Sequence, residues 1–304
     1  MTHDLATADP RPPRSRRGGR AAKRGSATGF EQPPFRRLVN PFEPTRIVSE
    51  DQLEAIHQAS LKVLSEIGVE VLHDEARALM KEHGADVRTD TQRVHFDPAL
   101  ILEYIAHCPS EFEVHARNPE HNLRMGGKNV ILAEMASAPN CSDIDKGRRS
   151  GNREDFRNFV KLSQMHNIVQ CQGGYPVEPI DIPPSTRHLE CLRDIVTLTD
   201  KAFHIYSLGK ERNLDGIEIA RIARGVSHEQ FASEVSCFTI INTNSPLRLD
   251  IPMMEGIIQM SRHGQAVIVT PFTLAGAMAP VTIAGAVVEQ NAEALAAIAF
   301  TQMV

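Results

Sequence analysis

Two short patterns in the sequence carry residue types that can do chemistry by themselves. His188 and Cys191 lie at positions i and i+3, so on a helix both could ligate one metal ion, but no third ligand pattern accompanies them. Ser245 offers a hydroxyl nucleophile, without a GxSxG turn or an obvious histidine partner. The sequence therefore favours a partly buried helix face for the first pair, a turn at Ser245, and no metal site.

A third pattern, Gly126-Gly127-Lys128, combines residue types that also occur in phosphate-binding loops. The upstream glycine and the following serine or threonine of such a loop are missing. The pattern therefore predicts a turn.

Polar and glycine-rich segments follow several short apolar runs, at the point where each run ends. If the runs are parallel strands of a barrel, these ends meet on one face, where reacting groups are found. The segments are Glu134 with Ser137, Asn140 and Asp143; Gly173-Gly174-Tyr175; Asn242-Thr243-Asn244-Ser245-Pro246; and Thr270-Pro271-Phe272-Thr273. They form a short list of site loops.

The stretch from Thr270 to Thr282 is dense in glycine, alanine and proline. Such a backbone can approach a flat, bulky molecule closely, because few side chains stand in the way. It is equally well explained as a tight connection from a strand to a helix, with Pro280 entering that helix. The residues by themselves leave both interpretations open.

Apolar runs and helical stretches alternate from about residue 129. The runs are 130–133, 168–171, 203–206, 237–241 and 266–269, and the helical stretches are about 153–166, 184–199, 211–224, 250–262 and 281 to the end. Repeated βα units with strands buried on both faces predict a parallel sheet. Because the first βα connection, 133–150, lacks a GxGxxG loop, an α/β fold of the (β/α)8 TIM-barrel type is favoured over a doubly wound sheet.

The predicted barrel is incomplete. About five βα units fit into residues 129–304, whereas a whole barrel takes roughly 250 residues. The last helix also ends without glycine or a polar cap. We expect a partial TIM-barrel domain, cut short within the sequence.

Two further segments precede this domain. Residues 46–128 are expected to be a mainly helical subdomain: Ser49 opens a capping box, a second helix spans about Asp74 to His83, and a third begins at Asp97. Residues 1–45, rich in proline, arginine and glycine, are expected to be a disordered basic tail. A solvated extension is favoured over an RNA-binding tail, because no aromatic residues interleave with the basic ones.

The composition excludes several classes of function. The chain has 304 residues, 41% of them hydrophobic, a net charge of -5 and a pI of about 6.2, which argues against nucleic-acid and anionic-membrane binding. Five scattered cysteines without a CxxC pair suggest a reducing compartment. No run approaches the roughly 20 apolar residues of a membrane span, and no signal peptide is visible. A cytoplasmic protein without a membrane segment is predicted.

Four segments of the sequence resemble a known family, the trimethylamine and glycine betaine corrinoid-protein methyltransferases of the quaternary-amine methyltransferase superfamily. They are TPFTLAGAMAPVTIAG (270–285), VEQNAEAL (288–295), FTIINTNSPLRLD (238–250) and SLKVLSEIGVEVLHDEA (60–76). The resemblance implies a TIM barrel that passes a methyl group from a methylated amine to the cobalt of a corrinoid carried by a separate protein, with no tightly bound cofactor. It also implies a longer chain, with the pyrrolysine of the trimethylamine branch beyond residue 304.

The resemblance implies roles for the site loops, although it assigns no catalytic residue. A quaternary ammonium has no N–H to donate, so it is recognised by aromatic faces and carboxylates. The expected substrate-binding residues are Glu134, Tyr175, Asn242, Asn244, Thr270 and Phe272, and the residues expected to face the corrinoid are Gly276, Ala277 and Met278. A homo-oligomer is expected. The alternatives are a TIM-barrel lyase or hydrolase without a corrinoid partner, and an inactive fragment.

Overall fold

The computed structural model describes residues 31–304, in which α-helices and short strands alternate. In chain order the elements are β1 (Leu38–Val39), α1 (Glu50–Glu66), β2 (Val69–Val71), α2 (Asp74–Glu82), β3 (Asp86–Arg88), β4 (Arg93–His95), α3 (Pro98–Ala106), β5 (Glu111–Val114), a 3-10 turn (Pro119–His121), β6 (Leu123–Gly126), β7 (Asn129–Val130), β8 (Asn140–Asp143), β9 (Gly147–Ser150), α4 (Arg153–Met165), β10 (Cys171–Gln172), α5 (Arg187–Leu198), β11 (Ala202–Phe203), α6 (Lys210–Arg224), α7 (His228–Ser233), β12 (Phe238–Thr243), β13 (Arg248–Leu249), α8 (Ile251–Arg262), β14 (Ala266–Pro271) and α9 (Ile283–Met303).

Five parallel segments of the described chain lie side by side in sequence order. Ala133 bridges to Cys171 in β10, β10 pairs with β11, His204 bridges to Phe238 in β12, and β12 pairs with β14 over six residues. A helix follows each segment. This is the α/β fold predicted from the alternating pattern; Ala133 and β14 stand at the two ends of the row, and no pairing joins them within residues 31–304.

The helices begin where the sequence places their caps. The Ser49 hydroxyl accepts the backbone N–H of Gln52 while the Gln52 side chain accepts the N–H of Ser49, which completes the capping box. Asp97 accepts the N–H of Ala99 ahead of Pro98. These hydrogen bonds satisfy donors that would otherwise lack a partner in the first helical turn.

Two of the predicted strands contribute fewer residues to the parallel row than the sequence suggests. The run 130–133 contributes Val130 to an antiparallel pair with β1 and only Ala133 to the parallel row. The run 168–171 reaches the row only at Cys171, because Ile168 is half exposed and the carbonyls of His166 and Val169 accept hydrogen bonds from Lys201 instead. Tertiary contacts here override the local apolar pattern.

A four-stranded mixed sheet supports the helices α1, α2 and α3, in the order β13-β2-β4-β3. Its edge strand β13 comes from the connection after β12 and pairs in parallel with β2 through Arg248 and Leu249. Residues 34–304 form one compact unit. The domain boundary predicted at residue 128 stays a prediction.

Ordered structure begins earlier than residue 46. Of the segment predicted to be a disordered tail, residues 1–30 lie outside the described residues, but β1 lies inside it and pairs with β7. Arg37 donates to the Asn122 carbonyl and pairs with Glu113, and the Gln170 amide donates to the Arg36 carbonyl. These contacts offset the entropy cost that the composition alone suggests.

The apolar core has three parts. The largest joins the N-terminal helices to α8 and α9, the second lies between the parallel strands and α4, α5 and α6, and the third closes the amino ends of the strands with residues from β5 and β6. The parallel row is thus packed against helices, and its amino ends are packed against β5 and β6.

Helix α9 corrects the expectation that no membrane-length apolar segment exists. Within the described residues, it alone is long and apolar enough to cross a bilayer by length and composition, a weak indication because core helices pass the same test. Its alanine content raises the mean hydropathy. Glu293 on this helix is 1% exposed and hydrogen-bonded to the connection after β12, and Phe300 is fully buried, which matches a helix packed in a protein core.

Candidate functional site

The carboxyl ends of the parallel strands carry a cluster of polar and aromatic side chains, which we call the strand-end face (residues 134–137, 173–175, 204–206, 242–244 and 270–273). Its centre is the hydroxyl of Tyr206, just beyond β11. This oxygen lies 2.8 Å from the Ser137 hydroxyl and accepts the N–H of Tyr175 at 3.0 Å. The Ser137 N–H in turn donates to the Tyr175 carbonyl at 2.7 Å. Tyr206 therefore fixes the connections that follow the first two strands.

A row of rings runs from the strand-end face into the core beneath it. The centroids of Tyr175 and Tyr206 are 4.4 Å apart, those of Tyr206 and His204 are 4.8 Å apart, and those of His204 and Phe238 are 5.8 Å apart. Phe156 of α4 meets Tyr175 edge-on. Tyr175, predicted from sequence as an aromatic candidate, is thus one member of a larger aromatic group.

His204 is buried without a hydrogen-bond partner at either ring nitrogen within the described residues. Burial lowers the pKa of its imidazole to about 4, because the protonated form would lose its hydration. The ring is therefore neutral at neutral pH. Gly174 lies directly against it, and a Cβ at Gly174 would stand 3.1 Å from Nδ1 and 2.9 Å from the Tyr206 hydroxyl.

Asn242 and Thr270 meet on the neighbouring strands β12 and β14. They are register partners, and the Thr270 hydroxyl donates to the Asn242 side-chain oxygen at 2.6 Å and to the Ile241 carbonyl at 2.9 Å. The Asn242 side chain is exposed on this face. Asn244 is also exposed, and its backbone N–H donates to the Arg248 carbonyl.

Glu134 turns away from these groups. Its carboxylate accepts hydrogen bonds from the Ser163 hydroxyl on α4 and from the Gly173 N–H. Burial raises the pKa of this carboxyl to about 7, against the opposing effects of those hydrogen bonds and the Lys201 charge. Lys201, 2% exposed, donates to the carbonyls of Ser163, His166 and Val169 at the end of α4. Glu134 therefore contacts the helix layer.

The connection after β14 presents apolar side chains to solvent. Phe272 and Leu274 are about half exposed, at 54% and 51%. Residues 274–279 close a tight turn in which Gly276, at φ +80°, donates its N–H to the Ala279 carbonyl. Gly276 and Ala277 are exposed and Met278 is partly buried. These three residues and Phe272 share one connection, separate from the row of rings.

The structure shows the surroundings of the three short patterns found in the sequence. His188 Nε2 lies 2.8 Å from an Asp215 carboxylate oxygen, and Cys191 is fully buried. The Ser245 hydroxyl donates to Glu293 at 2.8 Å. Gly126 at the end of β6 and Gly127 in the turn that follows both have positive φ, and the turn was predicted. No group of three metal-ligating side chains with metal-site geometry occurs in residues 31–304.

Sequence reasoning missed Tyr206 and His204. Both belong to the run 203–206, which was predicted to be a strand throughout, whereas β11 ends at Phe203 and leaves the two residues beyond it. A histidine and a tyrosine two positions apart at the carboxyl end of a barrel-type strand face the same side, which is the signal that could have identified them.

Fold and site together define an α/β protein of consecutive βα units with an aromatic and polar site at the carboxyl ends of its parallel strands. The family described as trimethylamine methyltransferase (MTTB) matches residues 14–304. The chain belongs to this methyltransferase family.

Curated relatives agree with this assignment. A glycine betaine methyltransferase of Desulfitobacterium hafniense strain Y51 is 34% identical over 85% of this chain and 53% of its own length. A trimethylamine methyltransferase MttB of Desulfitobacterium hafniense strain DSM 10664 / DCB-2 is 29% identical over 84% of this chain and 51% of its own length. The chain thus spans about half the length of these relatives.

A solved structure is more distantly similar. The crystal structure of the Methanosarcina barkeri monomethylamine methyltransferase MtmB aligns with a TM-score of 0.49 and 13% identity, covering 81% of this chain and 55% of that one. At this distance the likeness carries no argument about the site.

Proposed function

We propose that this protein transfers a methyl group from a small methylated amine, trimethylamine or a quaternary amine such as glycine betaine, to the cobalt of a corrinoid carried by a separate protein. Membership of the methyltransferase family supports the reaction class, and the names of the relatives support the substrate class. We place the reaction in the cytoplasm and regard the five parallel segments as part of a (β/α)8 barrel.

One observation carries the proposal: a row of rings begins at the strand ends with Tyr175 and the partly exposed Tyr206, and continues into the core through His204 to Phe238. A methylated ammonium is attracted to aromatic faces, by about 0.5 to 2 kcal/mol for each contact. Because the buried His204 ring is neutral, it does not repel a cation held against Tyr206. A carboxylate is not required for recognition by this row.

The proposed reaction requires the protein mainly to position the amine and the corrinoid relative to each other. Reduced cobalt supplies the nucleophile, the methyl carbon bonds to it, and the electron pair of the broken C–N bond stays on nitrogen, so that a neutral amine leaves from a quaternary substrate. Tyr206 holds the two connections beside the rings in place. Asn242 and Thr270 offer polar groups to the part of the substrate that does not react. The connection with Phe272 and Gly276 to Met278 offers the corrinoid a surface with few large side chains.

The test is a visible-absorbance assay of the natural full-length protein with its reduced corrinoid protein and a panel of methylated amines. We expect one amine to cause loss of the cobalt(I) absorbance. If no amine does so, while the same corrinoid protein is methylated by a known donor, the proposed function is wrong and a lyase or hydrolase becomes the better explanation.

A matched pair of variants tests the row of rings. Tyr206→Leu removes an aromatic face and should raise the amine KM by about 2- to 30-fold, from the range of one cation–π contact. Tyr104→Leu, on α3, removes a tyrosine outside the strand-end face and should leave the KM unchanged. An unaltered KM in Tyr206→Leu would show that the ring serves packing alone.

A further inference from the structure

The first βα connection contains a β-hairpin that stands beside the strand-end face. We call residues 140–150 the rim hairpin; β8 and β9 pair antiparallel from Asn140–Ser150 to Asp143–Gly147. It lies between Ala133, in the parallel row, and the start of α4 at Arg153. Ser137, the partner of Tyr206, is three residues before it. The hairpin is therefore continuous with the site.

The base of the rim hairpin is fixed to the rest of the protein. Arg149 pairs with Asp143 across the hairpin at 2.6 Å and with Asp155 on α4 at 2.5 Å. Next to the base, the Glu178 N–H donates to the Ala138 carbonyl at 2.8 Å. Charge-assisted hydrogen bonds to a partly buried carboxylate hold such a base in one orientation. The hairpin projects from a rigid support.

The tip of the rim hairpin exposes an apolar side chain. Ile144 is 100% exposed, the highest value among the large hydrophobic side chains of the described chain. The Asp143 carboxylate accepts the N–H groups of Asp145 at 3.0 Å and Lys146 at 2.7 Å, so the turn around Ile144 is locked by its own hydrogen bonds. Met135, 75% exposed, lies in the same connection.

Neither the fold nor the substrate site uses this isoleucine. Exposed apolar residues scattered singly are ordinary on protein surfaces. Ile144 differs because a locked turn on a fixed base presents it without any covering side chain. Rigid apolar anchors of this kind fill pockets on partner proteins with little loss of conformational entropy. Asp143 and Asp145 stand on either side of Ile144, and the exposed cations Lys146 and Arg148 follow in the same hairpin. Asp143 pairs with Arg149, and no carboxylate within residues 31–304 forms an ion pair with Lys146 or Arg148.

We propose that the rim hairpin docks the protein that carries the corrinoid, an inference that rests on the proposed function. Ile144 enters an apolar pocket of that protein, and Lys146 and Arg148 pair with carboxylates around the pocket. The carrier is the fitting occupant because whatever binds the hairpin sits beside the strand-end face, where the cobalt must arrive. A second copy of this chain in that place would obstruct the same approach.

The experiment compares two methyl acceptors in the natural full-length protein. With the carrier protein as acceptor, Ile144→Asp should raise the KM for the carrier by about tenfold, the effect of one lost anchor. With free reduced cobalamin in excess as acceptor, the rate and the amine KM should stay as in the wild type. Ile47→Asp is the matched control, because Ile47 is 92% exposed in the segment before α1; it should change neither reaction.

A second variant tests the charges. The double change Lys146→Glu and Arg148→Glu should weaken binding of the carrier and reverse the salt dependence of its KM.

An unchanged carrier KM in both rim-hairpin variants overturns the proposal. An equal loss with both acceptors also overturns it, because the defect would then lie in the substrate site. Conversion of a dimer to a monomer by Ile144→Asp would assign the hairpin to self-association instead. Failure of the wild type with both acceptors would reject the proposed function itself.

Discussion

The N-terminal helices and their sheet differ from the strand-end face in the treatment of buried polar groups. In residues 31–133, every buried side-chain nitrogen or oxygen has a hydrogen-bond partner. In residues 134–304, the residues without one at a buried atom are Glu134, Gln172 and His204 in or next to the first three parallel segments, His188 and Glu190 on α5, and Glu289 on α9. Folded proteins satisfy almost all such groups, so the exceptions are expected where a ligand binds. The N-terminal region thus satisfies its buried polar groups internally, whereas the rest of the described chain leaves several buried polar atoms available to water or a ligand.

Two glutamates on α9 show the same contrast between a buried polar group with hydrogen-bond partners and one without. Glu293, 1% exposed, accepts hydrogen bonds from Thr243, Ser245 and the Leu247 N–H. Glu289, one turn earlier and 8% exposed, has an oxygen without a partner, and its pKa is raised by burial and by the Glu293 charge. The first joins α9 to the connection after β12, whereas the second is an uncompensated buried acid.

The largest expected effect is at Glu293. Glu293→Ala leaves three buried donors without an acceptor and should lower the free energy of unfolding by about 3 to 4 kcal/mol, measured by urea denaturation. Glu289→Ala should be close to neutral. Equal losses at the two positions would remove the distinction between a satisfied and an uncompensated carboxylate.

The next effect is a pH dependence caused by His204. Its pKa falls from 6.5 to about 4 on folding, so the unfolded chain binds the proton more tightly. The native state should therefore lose stability as pH falls from 6.5 towards 4, by about 3 kcal/mol in total, since one pKa unit corresponds to about 1.4 kcal/mol.

His204→Phe should remove this slope and leave the stability above pH 6.5 nearly unchanged, as followed by denaturation at a series of pH values. His228→Phe, at the exposed start of α7, is the control and should retain the slope. Persistence of the slope in His204→Phe would place its origin in another group and weaken the account of a neutral ring at the site.

The smallest effect lies in the N-terminal part. Ser49→Ala breaks the capping box of α1 and should cost about 1 kcal/mol in unfolding free energy. It should not alter the amine KM, because α1 contributes no residue to the strand-end face. A change in KM with an intact fold would show that the two regions are coupled more closely than their hydrogen bonds suggest.

The sequence predicted those parts of the molecule whose signals are local. Ser49 and Asp97 mark helix starts correctly, because a cap is a contact between residues two or three positions apart. The order of the βα units was predicted in the same way, from the alternation of apolar runs and helical stretches along the chain. The family resemblance was likewise confirmed by the match over residues 14–304.

Features that depend on distant partners were not predictable. The strand expected at 168–171 shortened because Lys201, far along the chain, takes the carbonyls around Val169. Strand β13 is two residues long and has no pattern of its own; only β2 makes it a strand. The rim hairpin was missed since its strands are largely polar and lack an apolar alternation. Of the predicted site residues, Tyr175 joins Tyr206 and Asn242 joins Thr270, while the roles of all of them remain predictions.

The pairing of β13 with β2 has a consequence for the order in which the protein is made. The Arg248–Glu70 contact across this pair spans 178 residues. At a synthesis rate of about 5 to 20 residues per second, the edge of β2 waits roughly 9 to 36 seconds for its partner to leave the ribosome. Contacts of such high sequence separation also slow folding. The nascent chain therefore exposes an unpaired strand edge for that time, and such edges are prone to pair with other chains.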